Sequence, residues 1–298
     1  MTAQGHVPVL LEEALDYLNI QREGTYVDCT LGLAGHALEI LKLNPKAEII
    51  GIDLDELSLK EARKKLVPYA GRVKLYLADF RTLPDFELDF AAVRGVLVDL
   101  GISSFQLDSP ERGFSFNQDG PLDMRLDLRN KTTAGKILEK YPEHRLATLF
   151  EEYGELQQTR RLAREIATRR KLRRLETTAQ LRAIVEEVYR WRPQKGKIHP
   201  AAKVFQALRI EVNQELKGLG EFLEETVAKV GAGTRFVAIS FHSLEDRIIK
   251  HTFVDLASDH DRTPSLKILT KKPVGPSEQE MFRNSRSRSA KMRAAERI

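Results

Sequence analysis

The chain has 298 residues, with 48 Lys and Arg against 43 Asp and Glu, and 42% hydrophobic residues. That is the balance of a folded globular protein, and it excludes disordered, collagen-like and low-complexity classes. A single cysteine, Cys29, excludes an internal disulfide, a multi-thiolate iron–sulfur cluster and a Cys-rich zinc module.

The amino-terminal residues show no secretory signal pattern, and no run of about 18 apolar residues occurs. A cytoplasmic protein without a membrane association is expected, either monomer or homodimer. In chain order, residues 25–30 (TYVDCT) form a first strand, followed by a glycine-bearing turn and a helix over 37–43. A second strand over 48–53, a helix over 57–66, a third strand over 73–77 and a fourth over 95–99 continue the alternation. Such alternation predicts a parallel sheet with helical crossovers, the α/β class. Each of these strands ends in or runs into an acid, namely Asp28, Asp53, Asp79 and Asp99. Ligands of doubly wound sheets bind beyond the strands' carboxyl ends, so the four acids outline a pocket.

The pattern then changes. A polar loop-rich stretch over 106–127 leads to helical periods over 133–140, 143–152, 157–171, 178–189 and 201–216, without a strand signal. Strand signals return at 235–240, 266–270 and 291–298, while 255–265 and 283–289 read as loops. One sheet interrupted by an inserted helical domain is the economical reading. The divided sheet domain takes 1–103 and 213–298, and the insert 104–212.

Charge is uneven along the chain. Residues 160–174 carry a net +7, and 190–203 and 283–297 each carry +5, which leaves −12 elsewhere. An acidic body with three basic segments favours a polyanionic partner such as RNA. Within the first segment Arg169, Arg170 and Lys171 are candidate phosphate contacts.

The turn after the first strand, DCTLGLAGH at 28–36, is followed 21 residues after Gly32 by Asp53. Glycine allows close backbone approach, and an acid after the second strand accepts from ribose hydroxyls. A carboxylate at the loop mouth repels a pyrophosphate and suits a cation. S-adenosylmethionine, with its sulfonium and amino groups, fits this loop, with Asp28, Gly32 and Asp53 nearby and the Asp79-Phe80 pair for the adenine; a nicotinamide or flavin cofactor stays open. The His and Cys spacing shows no metal site.

Seven strings resemble one family: HVPVLL-x-E at 6–13, YVDCT-x-G-x-x-GH at 26–36, DLGISS-x-QLD at 99–108, RGFSF at 112–116, PLDMR at 121–125, FQALRI-x-VN-x-EL at 205–216 and ISFHSLEDR at 239–247. It is the bacterial small-subunit (16S) ribosomal RNA (cytosine-N4)-methyltransferase H family, and the resemblance spans nearly the whole chain in order. It implies a Rossmann-like S-adenosylmethionine-dependent methyltransferase sheet with an inserted all-helical, substrate-recognising domain. The implied reaction is methylation of the exocyclic N4 of a cytidine in the decoding region (P site), leaving S-adenosylhomocysteine. The implied partner is the rRNA or the small subunit itself. Implied cofactor contacts are Ala34, Gly35, His36, Asp53, Phe80, Asp99 and Gln106. The chain departs from the family at Ala34, where a glycine is usual and a negative φ is expected for alanine, at Ala37, and at Ala202-Lys203-Val204.

For chemistry, Asp99 is the expected acceptor near the amine, with His242 as a proton acceptor or base contact. Arg209 and Asn213, one helical turn apart, either grip the nucleotide or tie the insert to the sheet. A splayed-out cytidine needs a stacking surface, for which Phe105, Phe114, Phe116 and Trp191 are candidates. The competing classes are a nicotinamide-dependent oxidoreductase and a non-catalytic RNA-binding assembly protein.

Overall fold

A computed structural model describes residues 8–194, 196–258 and 265–298. His6, Val7, Lys195 and most of the expected 255–265 loop lie outside the described residues. The chain divides into two compact units, one of residues 1–101 with 216–298 and the other of residues 102–215.

The first unit opens with α1 (Leu11–Leu18), β1 (Gly24–Asp28), α2 (Gly35–Leu43), β2 (Ala47–Asp53), α3 (Glu56–Leu66), β3 (Val73–Leu77) and β4 (Val93–Asp99). The second unit follows with α4 (Ser104–Leu107), α5 (Ala134–Lys140), α6 (Glu143–Glu152), α7 (Thr159–Leu172), α8 (Thr178–Val188) and α9 (Pro200–Asn213). The chain then returns to the first unit with α10 (Leu219–Lys229), β5 (Arg235–Ser240), α11 (Ser243–Ala257), β6 (Leu266–Ile268), α12 (Glu278–Arg283) and β7 (Lys291–Arg297). Helices α1, α10 and α11 have no counterpart in the sequence reading. The 283–289 segment, read as a loop, is the end of α12 plus a 3-10 turn over Ser285–Ser289, pinned by the buried Ser287.

The sheet order is β3-β2-β1-β4-β5-β7-β6. All adjacent pairs are parallel except those made by β7, which runs antiparallel to both β5 and β6. The central strands are covered on both faces, which explains their nearly unbroken apolar runs. Pleating sends alternate residues to opposite layers. Tyr26, Ile49, Leu97, Val237 and Ile239 pack with α1, α2 and α3. Val27, Ile50, Val96, Val98, Phe236 and Ala238 pack with α10 and α11.

The helical unit has its own core, built from Leu146 and Phe150 of α6, Leu162 and Ile166 of α7, Leu181 and Val185 of α8, and Phe205 and Leu208 of α9. Its loop 112–126 is tightly built: a Cβ at Gly113 would stand 1.9 Å from the Pro121 carbonyl oxygen, so only glycine fits. Leu122 N–H donates to Glu176 O and Thr178 N–H to Gly120 O, which sews this loop to the start of α8. No helix among the described residues is long and apolar enough to cross a membrane.

Candidate active site

Asp28, Asp53 and Asp99 all lie at the carboxyl ends of neighbouring parallel strands, β1, β2 and β4. The loop after β1 is held in line with the sheet, since Cys29 N–H donates to Leu97 O and Leu31 N–H to Ile52 O, each at 2.9 Å. Asp53 closes it from the side: Oδ2 accepts from Gly32 N at 2.7 Å and Oδ1 from Asp55 N at 2.8 Å. A carboxylate has about four acceptor positions, so capacity for ribose hydroxyls remains.

Gly32 has φ +52° and Ala34 φ +62°. The negative φ expected for Ala34 is thus corrected: the residue is the left-handed N-cap of α2. This conformation costs an alanine about 1–2 kcal/mol. It is held because its methyl is fully buried, its N–H donates to Leu31 O at 2.8 Å and its carbonyl accepts from Leu38 N at 2.9 Å. Gly35 is needed for a different reason: a Cβ there would stand 2.4 Å from Pro8 Cγ. The same amino-terminal segment fixes His36, whose Nε2 lies 3.2 Å from Val9 O and whose Nδ1 lies 3.9 Å from Asp99 Oδ2.

The electrostatics are those of a pocket for a cation. Burial lifts the Asp28 carboxyl to about 7 against the lowering hydrogen bond from Thr30, with Asp53 adding to the rise. Burial likewise lifts Asp53 to about 6. Asp99 is pushed well above the usual carboxylate range by burial first, then by Asp28 and Glu245. Its Oδ1 is buried and accepts no hydrogen bond, although its backbone N–H donates to Thr30 Oγ1 at 2.6 Å. An unpartnered buried carboxylate oxygen among like charges is stabilised by a bound cation. The donor set therefore fits a sulfonium or ammonium.

These shifts predict how stability follows pH. A carboxyl whose folded pKa is raised holds its proton better in the folded state, so stability is gained as pH falls and lost as pH rises through the folded value. Asp28 alone should make the ligand-free protein about 2 kcal/mol more stable at pH 5.5 than at pH 8. Urea denaturation at the two pH values checks this, and an unchanged difference in Asp28→Asn would show that the cause lies elsewhere.

The other expected residues are distributed as follows. Phe80 is half-buried, edge-on to Phe222 with centroids 4.9 Å apart. Asp79 pairs with Arg81, whose Nε lies 2.8 and 2.9 Å from its two oxygens. Gln106 belongs to the helical unit, where its side chain accepts from Ser103 N at 2.9 Å in a capping box. His242 caps α11, with Nδ1 accepting from Glu245 N at 3.4 Å. Its Nε2 lies 3.2 Å from Glu245 Oε1 and is buried without a hydrogen-bond partner.

Two residues were missed. Thr30 orients the β4 end, and Glu245 is buried and accepts from Phe241 N at 2.9 Å. The signal for Glu245 was present as an acid three residues after the helix-capping position 242, the spacing of a capping box.

In the helical unit, Arg209 forms a two-pronged ion pair with Glu215, from Nε to Oε1 at 2.9 Å and from Nη2 to Oε2 at 2.9 Å. Asn213 accepts from Leu126 N and donates to Met124 O, each at 2.8 Å. Asn213 thus binds loop 124–126 to α9, and Arg209 pairs with Glu215 just past the end of that helix. Arg169 pairs with Glu165 at 2.6 Å and also with Glu187. Arg170 donates to the carbonyls of Leu138 and Tyr141, capping α5. Of the three expected phosphate contacts, only Lys171 is exposed and uncommitted. Phe114 is buried core, and Phe116 and Trp191 both pack on His199, at 5.0 and 4.9 Å between centroids, while Phe105 is half-buried.

An open sheet in the order 3-2-1-4-5-7-6 with its seventh strand reversed, and with acids at the carboxyl ends of β1, β2 and β4, has the architecture of a Rossmann-like methyltransferase. Residues 3–298 match the MraW methylase family, and the chain belongs to that family. It is 45% identical to a protein of Carboxydothermus hydrogenoformans named ribosomal RNA small subunit methyltransferase H, with 98% of each chain covered. It is 42% identical to a protein of the same name from Clostridioides difficile, covering 98% of this chain and 99% of the relative. A solved rRNA methylase from Streptococcus thermophilus shares 10% identity with a TM-score of 0.43, covering 99% of each chain.

Proposed function

We propose that this protein is a cytoplasmic S-adenosylmethionine-dependent methyltransferase that modifies the exocyclic N4 of a cytidine in the decoding region of small-subunit rRNA. The near-full-length identity to relatives named ribosomal RNA small subunit methyltransferase H carries the substrate class. The buried, unpartnered Asp99 Oδ1 supports a cationic donor.

When bound, S-adenosylmethionine supplies an electrophilic methyl group on a positively charged sulfur. Gly32, Ala34 and Gly35 would provide a backbone surface for it, and Asp53 would take the ribose hydroxyls. Asp28 and Asp99 neutralise the charge. A cation beside them favours their ionised forms, so Asp99 becomes a hydrogen-bond acceptor when the donor is in place. The N4 lone pair of cytosine is delocalised into the ring, and positioning it in line with the methyl group is the main contribution required. Asp99 accepts a hydrogen bond from N4–H as the nitrogen pyramidalises, and His242 Nε2–H serves as a donor to the base.

The direct test is transfer of labelled methyl from S-adenosylmethionine to small subunits lacking this modification, followed by nucleoside analysis. Label in N4-methylcytidine or its 2′-O-methyl derivative is expected. Label in another nucleoside, or none despite cofactor binding, would overturn the assignment.

A further inference from the structure

Phe282 is the most exposed large hydrophobic residue among those described, at 93%. It does not lie on a loose end. Its helix α12 is capped by Ser277, whose Oγ accepts from Glu280 N at 3.1 Å, and fastened by Glu280 Oε1, which accepts from Leu10 N at 2.9 Å. The following turn is anchored by the buried Ser287 and capped by Asn284. Exposed around the ring's position in sequence are Arg283, Arg286 and Arg288, and among the described residues Arg283 and Arg288 make no ion pair. The two acids of α12 sit in its first turn, and one of them is the Glu280 used as the fastener.

The anchor also fixes where this ridge lies. Leu10, which Glu280 holds, is two residues from Pro8, which packs on Gly35, and adjoins Val9, whose carbonyl meets His36. The ridge and the cofactor loop thus share one short stretch of backbone.

A fully exposed aromatic ring on a fixed helix, flanked by arginines free to meet phosphates, has the chemistry of a single-stranded nucleic-acid platform: the ring stacks on a base and the guanidinium groups take the backbone. We infer that residues 282–288 form an RNA-docking ridge on the catalytic unit, with Phe282 stacking on an unpaired base near the target cytidine and Arg283 and Arg288 contacting phosphates. This rests on the proposal that the substrate is RNA.

The test measures binding of unmethylated small subunits, and methyl transfer to them, separately and across salt concentrations. Phe282→Ala should weaken binding about tenfold with unchanged S-adenosylmethionine affinity, and Phe282→Trp should restore it. Arg283→Gln combined with Arg288→Gln should lower the slope of log affinity against log salt by about 1.5. The three substituted positions are all exposed, and melting curves check that folding is intact. Unchanged RNA affinity and salt slope in these variants would overturn the ridge and leave the surface to a protein partner. Ridge-dependent RNA binding by a wild-type protein that transfers no methyl group would keep the ridge and overturn the enzymatic assignment.

Discussion

Replacing Asp99 by Asn is expected to lower methyl transfer by about 10²–10³-fold while leaving the ligand-free protein at least as stable as wild type. The two halves of this expectation share one cause. Asp99 sits on the end of β4 with a buried oxygen that has no hydrogen-bond partner, beside the like charges of Asp28 and Glu245. Ionised, it opposes folding; facing a cation and a developing positive nitrogen, it favours both. The amide keeps the shape and removes the charge. Because the folded pKa of Asp99 is raised, the wild type loses stability as pH rises through that value, and the amide removes this contribution while leaving those of Asp28 and Asp53. The stability difference should therefore widen toward alkaline pH. Initial rates with saturating RNA, calorimetric cofactor titration and denaturation curves at pH 6 and 8 provide the check. A variant that is less stable at both pH values, with proportionate loss of rate, would make Asp99 a structural partner of His36 instead.

Arg209→Ala should destabilise the helical unit by about 3–5 kcal/mol. The side chains of Arg209 and Glu215 are 14% and 10% exposed, and the ion pair is two-pronged. Removing the guanidinium leaves a buried carboxylate without its main partner. The Arg209 carbonyl also accepts from Asn213 Nδ2 at 2.9 Å, and Asn213 holds loop 124–126, so loosening the end of α9 is transmitted to that loop. Urea denaturation should show a fall in midpoint, and Arg209→Lys should recover only part of it, since a lysine cannot make the paired contact. An unchanged midpoint accompanied by a higher KM for RNA would restore the nucleotide-gripping role.

The elements most legible in the sequence are the strands buried on both faces. Ile49-Ile50 and Val96-Leu97-Val98 have no polar face to confuse their period, and an acid ends each strand, Asp53 for β2 and Asp99 for β4. The 26–36 string contains the turn between β1 and α2, whose backbone the fold holds in line with the sheet. What escaped was set by tertiary partners. The backbone of Ala34 is forced left-handed by its place at the start of α2, where hydrogen bonds to Leu31 and Leu38 outweigh the local preference. Arg169, Arg170, Arg209 and Asp79 carry the charges expected of binding residues, but each has a partner: Arg81 and Glu165 lie close in sequence to Asp79 and Arg169, whereas the Leu138 and Tyr141 carbonyls reach Arg170 only through the fold. Conversely, α12 with the exposed Phe282 gave no sequence signal, because the Glu280 bond that fixes it spans 270 residues.

The pairing of β4 with β5 joins Gly95 to Arg235, with the whole helical unit between them in the chain. During synthesis at roughly 5–20 residues per second, β4 emerges with one edge unsatisfied and must wait on the order of ten seconds for its neighbour. The helical unit, whose contacts are all available by residue 215, is complete first. For that interval the nascent chain presents the apolar run Val96-Leu97-Val98 at an open sheet edge, the form of surface that recruits other strands. The insertion of residues 102–215 between β4 and β5 therefore imposes a delay in time on the completion of the sheet.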